Sequence, residues 1–483
     1  MIKAKLIKIK PIAKTENPKI DHKARTKQNL LKKFIELSQS SSSHGFPNIF
    51  RTQRISIKLL WSVCFIVSVG VCSYMIFETM NDYLDYNVVT KTEFVSELIS
   101  EFPAVTICDS NPLSTKHAQD LTQKWLRNLI SEDKANLTQS NVFDYIGWSN
   151  KLALLEAVSF FFTDDDRKKL GDLIPNINKC YFNEEFCSVE NFNWHFDLIN
   201  GNCIQFNTGL SGNEIKESNK PGSKNGLTLI FFSSEPENKF SSSFTYGFKV
   251  YIHNRSLSPS PAEAINIQPS KSTDIAIKRT FIQKEPYPYS SCMDLSNYES
   301  IFYKYFQSVN KTYRQTDCFE LCLQNNIMTN CSCYDYSYPR INNSFSPCFT
   351  KPEILCSINQ YNYFRKFKMS EECLKLCPLE CDSVKYDVSI SSLDFPSKFV
   401  FDIYKNFGLF NGTFESFKQN LLQVNIFYPS LSYTKISESP KMSTTDLLSN
   451  LGGTLGLYIG ISFLSLIEIV EMLIELLFTS FNR

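Results

Sequence analysis

The chain has 483 residues and carries 50 Lys and Arg against 49 Asp and Glu, a net charge of +1. That balance excludes the global basic character of a nucleic-acid binder, so partners must be argued locally and no nucleic acid is expected among them. Five histidines, none in a nucleophile or metal-binding motif, leave no enzyme reading and no cofactor.

Residues 1–43 are rich in Lys, Ser, Asn and Gln and end in a serine run, Ser38 to Ser43, broken by Gln39. The composition is that of a flexible tail. Its basic residues read as a topogenic signal, with contact to anionic lipid as the alternative. Leu59 to Phe77 (LLWSVCFIVSVGVCSYMIF) carry no charge, and at about 1.5 Å per residue they span about 28 Å of a ~30 Å hydrocarbon core. A cleaved signal peptide is not expected there, because the run begins almost sixty residues in and no small-residue cleavage site follows it. Arg51, Arg54 and Lys58 precede the run while Glu78, Asp82 and Asp85 follow it, which puts the N-terminus in the cytosol. A second, largely apolar stretch runs from Leu447 to Phe478, so the C-terminus is cytosolic as well. The expected organisation is a cytosolic tail over 1–56, a first span over 57–78, an extracellular domain over 79–444, a second span over 445–478 and a short cytosolic end over 479–483.

The large middle segment mixes alternating pieces (GLTLIFF, FKVYIH, VKYDVSIS) with helix-like ones (AQDLTQKWLRNLI), and predicts an α+β, strand-rich domain. Of the 16 cysteines, Cys64 and Cys72 fall inside the first apolar run and the remaining fourteen lie between residues 108 and 381. An even, confined set reads as a disulfide framework in an oxidising compartment. The sequons at Asn136, Asn254, Asn310, Asn330, Asn342 and Asn411 lie in the same segment and point to the same side of the membrane. Cys318 and Cys322 are four apart, as are Cys373, Cys377 and Cys381, a spacing that places side chains on one helical face. Two antiparallel helices would nest Cys318 with Cys377 and Cys322 with Cys373. Zinc ligation is the rival for such spacings, and the connectivity of fourteen cysteines stays open at this point.

Several stretches in order resemble the degenerin/epithelial sodium channel superfamily, which includes acid-sensing and peptide-gated channels. They are His44-Gly45 before the first span, FPAVTIC (102–108), GNCIQFNTG (201–209), the run from Cys318 through CSCYDYSYP, CPLECDSVKYDVSIS (377–391), and Gly460-Ile461-Ser462. The resemblance implies a homo- or heterotrimer in the plasma membrane, with a palm and β-ball of strands, finger, thumb and knuckle helices, and a pore lined by the second span. It implies the pairs Cys108–Cys203, Cys180–Cys187, Cys292–Cys381, Cys318–Cys377, Cys322–Cys373, Cys331–Cys356 and Cys333–Cys348. It also implies amiloride block, a Gly-x-Ser selectivity filter at Gly460, Ile461 and Ser462, an outer gate at Ser449, and an inner-pore role for His44 and Gly45. Tyr86 and Tyr289 fall where the family joins its ectodomain to the first span, which makes them candidates for coupling ligand binding to opening.

A carboxylate at the bilayer centre costs on the order of 3 kcal/mol, so Glu468, Glu471 and Glu475 belong on a wet surface. At about 100° per residue they fall within an arc of about 60° on one helix face. In a trimer they would stack as acidic rings that attract cations. Backbone carbonyls at Gly460 to Ser462 would narrow the path for Na⁺, with Ca²⁺ as the second permeant candidate, since non-helical backbone is tolerated at membrane depth where it lines water. Close helix packing through Gly452, Gly453, Gly456 and Gly460 is the bland alternative.

The stimulus is read from what departs from the family. Where acid-sensing members carry a histidine pair, this chain reads Tyr86-Asn87-Val88-Val89-Thr90-Lys91. The segment before Cys373, where such members place carboxylates, carries Arg365, Lys366 and Lys368. Asp164 to Asp166 read as a solvated helix start. An extracellular RFamide-type neuropeptide is the expected ligand, with proton or mechanical gating as the alternative. A non-conducting two-pass receptor or adhesion protein would explain the disulfides but not the acidic, glycine-broken second span.

Overall fold

A computed structural model describes residues 32–39, 45–133, 138, 146–150, 152–153, 163–171, 177–197, 199–209, 214–232, 245–295, 298–341, 344–366 and 369–481. The chain divides into two compact units, Met1–Val89 with Pro440–Arg483, and Thr90–Ser439.

In the first unit, α1 (Phe46–Arg51) opens at Gly45 and packs Phe46 on Phe65 of α2 (Ile55–Leu84), ring centroids 5.8 Å apart. Gly45 has φ 83°, and a Cβ there would lie 3.7 Å from the Trp61 ring, so the turn wants a glycine for conformation rather than for room. α2 extends past both ends of the predicted 57–78. Among the described residues it is the one helix long and apolar enough to cross a membrane by itself. Its apolar side chains, Leu59, Val63, Ile66, Val67 and Phe77 among them, stand exposed in the single chain. Over the predicted second span run two helices, α11 (Thr444–Tyr458) and α12 (Phe463–Phe481), bent by 69° at a break that holds the Gly460-Ile461-Ser462 tripeptide. Cys72 of α2 is buried, and its thiol donates to the Thr454 carbonyl of α11 at 3.9 Å.

The second unit is built on two sheets. In the larger, the order is β1 (Val88–Ser96), β13 (Ser432–Pro440), β10 (Lys271–Gln283), β12 (Leu421–Phe427), β7 (Leu227–Phe232), β3 (Ile177–Phe182) and β4 (Glu185–Phe186), with β11 (Asp382–Asp394) also paired to β10. β11 runs antiparallel along the whole of β10, while the opposite edge of β10 is shared in sequence by β12 (272–276) and β13 (279–283), both parallel to it. The smaller sheet has the order β9 (Ile265–Ile267), β8 (Phe248–His253), β2 (Ala104–Asp109), β6 (Gly201–Phe206) and β5 (Phe192–Asp197). One core serves both sheets, from Val105, Ile107 and Ile204 through Leu229 and Phe231 to Ile275, Ile277, Val424 and Ile426. Period-two alternation in β10 sends Thr273, Ile275, Ile277 and Arg279 inward.

The helices α3 (Lys116–Asp133), α4 (Asp164–Lys168), α5 (Ile301–Ser308), α6 (Gln315–Cys331), α7 (Lys351–Lys366), α8 (Met369–Leu376), α9 (Lys398–Asn406) and α10 (Phe414–Asn420) complete this unit. Its disulfides join Cys108–Cys203, Cys180–Cys187, Cys292–Cys381, Cys318–Cys377, Cys322–Cys373, Cys331–Cys356 and Cys333–Cys348. Around the two rungs between α6 and α8, Phe302, Phe306, Tyr313 and Leu321 are buried. One expectation is corrected here. Cys373, Cys377 and Cys381 do not share a helix: α8 stops at Leu376 and Cys381 lies between Leu379–Glu380 and β11. Pro378 is the physical reason, since a proline disfavours helical backbone at the residue before it and supplies no N–H. The acidic triplet forms the first turn of α4, where Thr163 and Asp166 make a reciprocal capping box. Lys169 and Thr163 hold the Asp166 carboxyl down at about 2.

Candidate functional site

The break between α11 and α12 is built by the local sequence. Ser443 caps α11 through Asp446, with each reaching back to the other's backbone N–H. At the far end Gly460 takes φ 71°, a left-handed conformation that stops helices and suits glycine. The Ile461 N–H then folds back to the Leu455 carbonyl at 3.3 Å. Ser462 restarts the helix: its Oγ accepts from Ser465 N–H at 3.3 Å, and Ser465 Oγ accepts from Ser462 N–H at 3.1 Å. Among the described residues the Gly460 and Ile461 carbonyls accept from no backbone N–H. The helical backbone pairing of these two carbonyls is thus given up at the break.

Glu468, Glu471 and Glu475 all lie on α12, which is continuous from Phe463 to Phe481. Helical spacing keeps them on one face beyond the break. Glu475 Oε2 lies 3.1 Å from Lys33 Nζ, an ion pair with both side chains partly exposed. Ser449 is exposed on α11, upstream of the break at Gly460. Gly45 stands at the start of α1, as described above, and His44 lies outside the described residues.

Tyr86 follows α2 with φ 50°, its ring 6.4 Å from that of Tyr83. Tyr289, in the other unit, donates its backbone N–H to the Pro286 carbonyl in the loop before Cys292. Of the sequons, Asn310 and Asn411 are exposed, Asn330 is exposed with its amide on Gln360 Oε1 at 3.3 Å, and Asn254 is half-buried. Asn136 and Asn342 lie outside the described residues.

Two histidines of the second unit, His253 buried and His195 half-buried, sit on its smaller sheet. His253 Nε2 lies 2.8 Å from Thr106 Oγ1 and its Nδ1 lies 2.8 Å from the Asn254 carbonyl. A carbonyl only accepts, so Nδ1 carries the proton and Nε2 accepts from the Thr106 hydroxyl. Burial pushes His253 down to about 4. Burial also lowers His195, against the opposing pull of Asp197.

Sequence reasoning missed two charged centres. Arg279, on the inward face of β10, is buried, pairs with Glu97 and donates to Ser100 Oγ at 3.1 Å. Its guanidinium lies 5.2 Å from the Tyr428 ring centre and 5.6 Å from that of Tyr433. The alternation Thr273-x-Ile275-x-Ile277-x-Arg279 was the available signal. The second centre is Arg314 at the start of α6: its pair with Asp317 is at helical i,i+3 spacing, but Glu263 is too far away in sequence for any spacing rule to find.

The chain belongs to the amiloride-sensitive sodium channel family, which it matches over residues 37–472. It is 25% identical to acid-sensing ion channel 1C of Danio rerio, over 91% of this chain and 83% of that one. It is 23% identical to the FMRFamide-activated amiloride-sensitive sodium channel of Cornu aspersum, over 92% of this chain and 83% of that one. It is 28% identical to epithelial sodium channel subunit beta-2 of Xenopus laevis, over 64% of this chain and 48% of that one. These relatives are ion channels rather than enzymes, and acid-sensing and peptide-activated ones stand at a similar distance.

Proposed function

We propose that this chain is a subunit of a ligand-gated, amiloride-sensitive sodium and cation channel of the plasma membrane, opened by an extracellular RFamide-type neuropeptide. Three copies, identical or related, enclose the pore, with both termini cytosolic and residues 445–478 forming a broken second span. The observation that carries the channel reading is the interrupted helix: carbonyls at Gly460 and Ile461 that pair with no backbone N–H among the described residues, followed on α12 by three carboxylates on one face. Gly460, Ile461 and Ser462 form the filter, Glu468, Glu471 and Glu475 concentrate cations below it, and Ser449 lies at the outer gate. His44 and Gly45 line the inner pore, and Tyr86 and Tyr289 couple the ectodomain to it. Such carbonyl and carboxylate rings are the two elementary ways of stabilising a cation in a pore.

The peptide reading is supported by the absence of the histidine pair at Asn87-Val88 and by the burial that keeps His253, and to a lesser extent His195, uncharged near neutrality. A peptide opens the pore only through a difference in its affinity for closed and open states. Voltage clamp of cells expressing the chain, alone and with related subunits, should show amiloride-blocked inward current on RFamide application and little on acidification to pH 5. A large acid-evoked current without a response to any peptide of a broad panel would reverse the choice of stimulus. Glu468→Gln should lower cation conductance, and Ser462→Cys should alter Na⁺ over K⁺ preference. Unchanged currents and reversal potentials in both would place the pore elsewhere.

A further inference from the structure

The carboxylates of α12 have no cation near them in sequence, because neither Lys nor Arg occurs from Met442 to Asn482. The cation beside the last of them comes from the other end of the chain. Lys33 Nζ stands 3.1 Å from Glu475 Oε2, and that oxygen is itself closed to solvent although both side chains are partly exposed.

More than its charge holds Lys33 in place. Residues 32–39 are helical, and the Gln39 carbonyl accepts from Arg51 Nε at 3.0 Å while Gln39 Nε2 donates to the Phe50 carbonyl at 3.1 Å. Phe34 packs edge-on against Phe50, ring centroids 6.2 Å apart, Phe50 packs on Phe46 at 5.2 Å, and Phe46 packs on Phe65 of α2. The helical residues 32–39 thus have two attachments. Aromatic rings and the Arg51 guanidinium tie them to α1 and α2, and Lys33 ties them to α12.

We propose that Lys33 sets the charge at the cytosolic mouth of the pore by neutralising Glu475, with residues 32–39 and α1 forming a clasp that fixes where the lysine can reach. Of the three acidic rings on α12, those of Glu468 and Glu471 then carry the attraction for cations. The electrical role of Lys33 rests on the pore reading of α12, while the contact stands on the ion pair alone. Helical rise puts Glu475 about 10 Å beyond Glu468, so the pair lies at the end of the acidic face. A partly exposed ion pair holds little by itself, and the aromatic packing supplies the positioning. With the pair closed, this position adds no net charge to the mouth. Without Lys33 it adds one negative charge per copy, three in a trimer. At about 10 Å from a passing ion and in 0.1 M salt, three such charges would about double the local cation concentration.

The contact is tested on the full chain carrying Lys33→Cys and Glu475→Cys, treated in membranes with a short bis-maleimide, cut at a protease site inserted in the ectodomain, then reduced and denatured. The two fragments should stay joined in the double variant and separate in each single variant, both of which retain Cys64 and Cys72. Separation in the double variant, or joining only between copies as a dimer of uncut chains, overturns the contact. The charge role is tested by single-channel currents in excised patches at varied cytosolic salt. Lys33→Gln should raise outward over inward conductance about twofold at 0.1 M, with the difference fading toward 1 M, where the screening length falls to about 3 Å. Lys33→Arg, which keeps a cation within reach, should shift the ratio less. Equal ratios in the parent and Lys33→Gln at low salt overturn the charge role. Absence of current from every variant under every stimulus would count against the channel reading, while the cross-link still decides the contact.

Discussion

Replacing Gly460 tests whether the helix break depends on a left-handed residue or merely on a small one. Its φ of 71° costs an L-residue with a Cβ roughly 1–2 kcal/mol, which shifts the balance between broken and unbroken helix by a factor of about 5–30 in each subunit. Gly456, one turn earlier, has helical backbone and open space where a Cβ would be added. Alanine there should be neutral or favour the helix by about 0.5–1 kcal/mol. Asparagine separates the two explanations, because it is larger than alanine yet tolerates the left-handed region better. The assay is amiloride-sensitive current per channel at the surface, with Na⁺ and K⁺ reversal potentials and surface labelling to normalise expression. The expected order is Gly460, then Gly460→Asn, then Gly460→Ala, with Gly456→Ala close to the parent. A ranking by size, with asparagine worse than alanine, would refute the conformational account. Loss of current in Gly456→Ala would instead reveal close packing of this helix against another copy.

Three further outcomes follow from the second unit. Cys318→Ser or Cys377→Ser removes one rung between α6 and α8 and should cost about 2–5 kcal/mol, seen as reduced surface expression and a new reactive thiol. Glu97→Gln leaves the buried Arg279 guanidinium without its counter-charge, and should cost about 3–5 kcal/mol in a thermal or denaturant melt. His253 is pushed down to about 4 from 6.5, so below 6.5 the unfolded chain binds the extra proton first. Stability from this group is whole above pH 6.5 and declines as pH falls toward 4, by at most about 3 kcal/mol. His253→Gln should lack that component, and an identical pH profile in the two proteins would remove His253 from the account.

The sequence by itself determined the features that depend on neighbours in the chain. The apolar run around α2, the alternation in β7, β8 and β11, the capped acidic start of α4 and the glycine stop before Ser462 all follow from residues within a turn or two of one another. Spacing also put Cys318 and Cys322 on one face of a helix, but placing Cys381 beyond the helix took Pro378, which ends α8 before it. Tertiary structure decided what depends on residues far apart. β10 meets β12 and β13 in succession along one edge because burial of Ile275 and Ile277 needs partners from residues 421–440, a choice no local pattern encodes. Arg279 breaks the apolar alternation of β10, and only the fold supplies the Glu97 that makes its burial tolerable. Arg314 likewise meets Glu263, 51 residues earlier in the chain, only in the fold. Desolvation and charge act through space, so such pairs belong to the folded chain and not to a sequence neighbourhood.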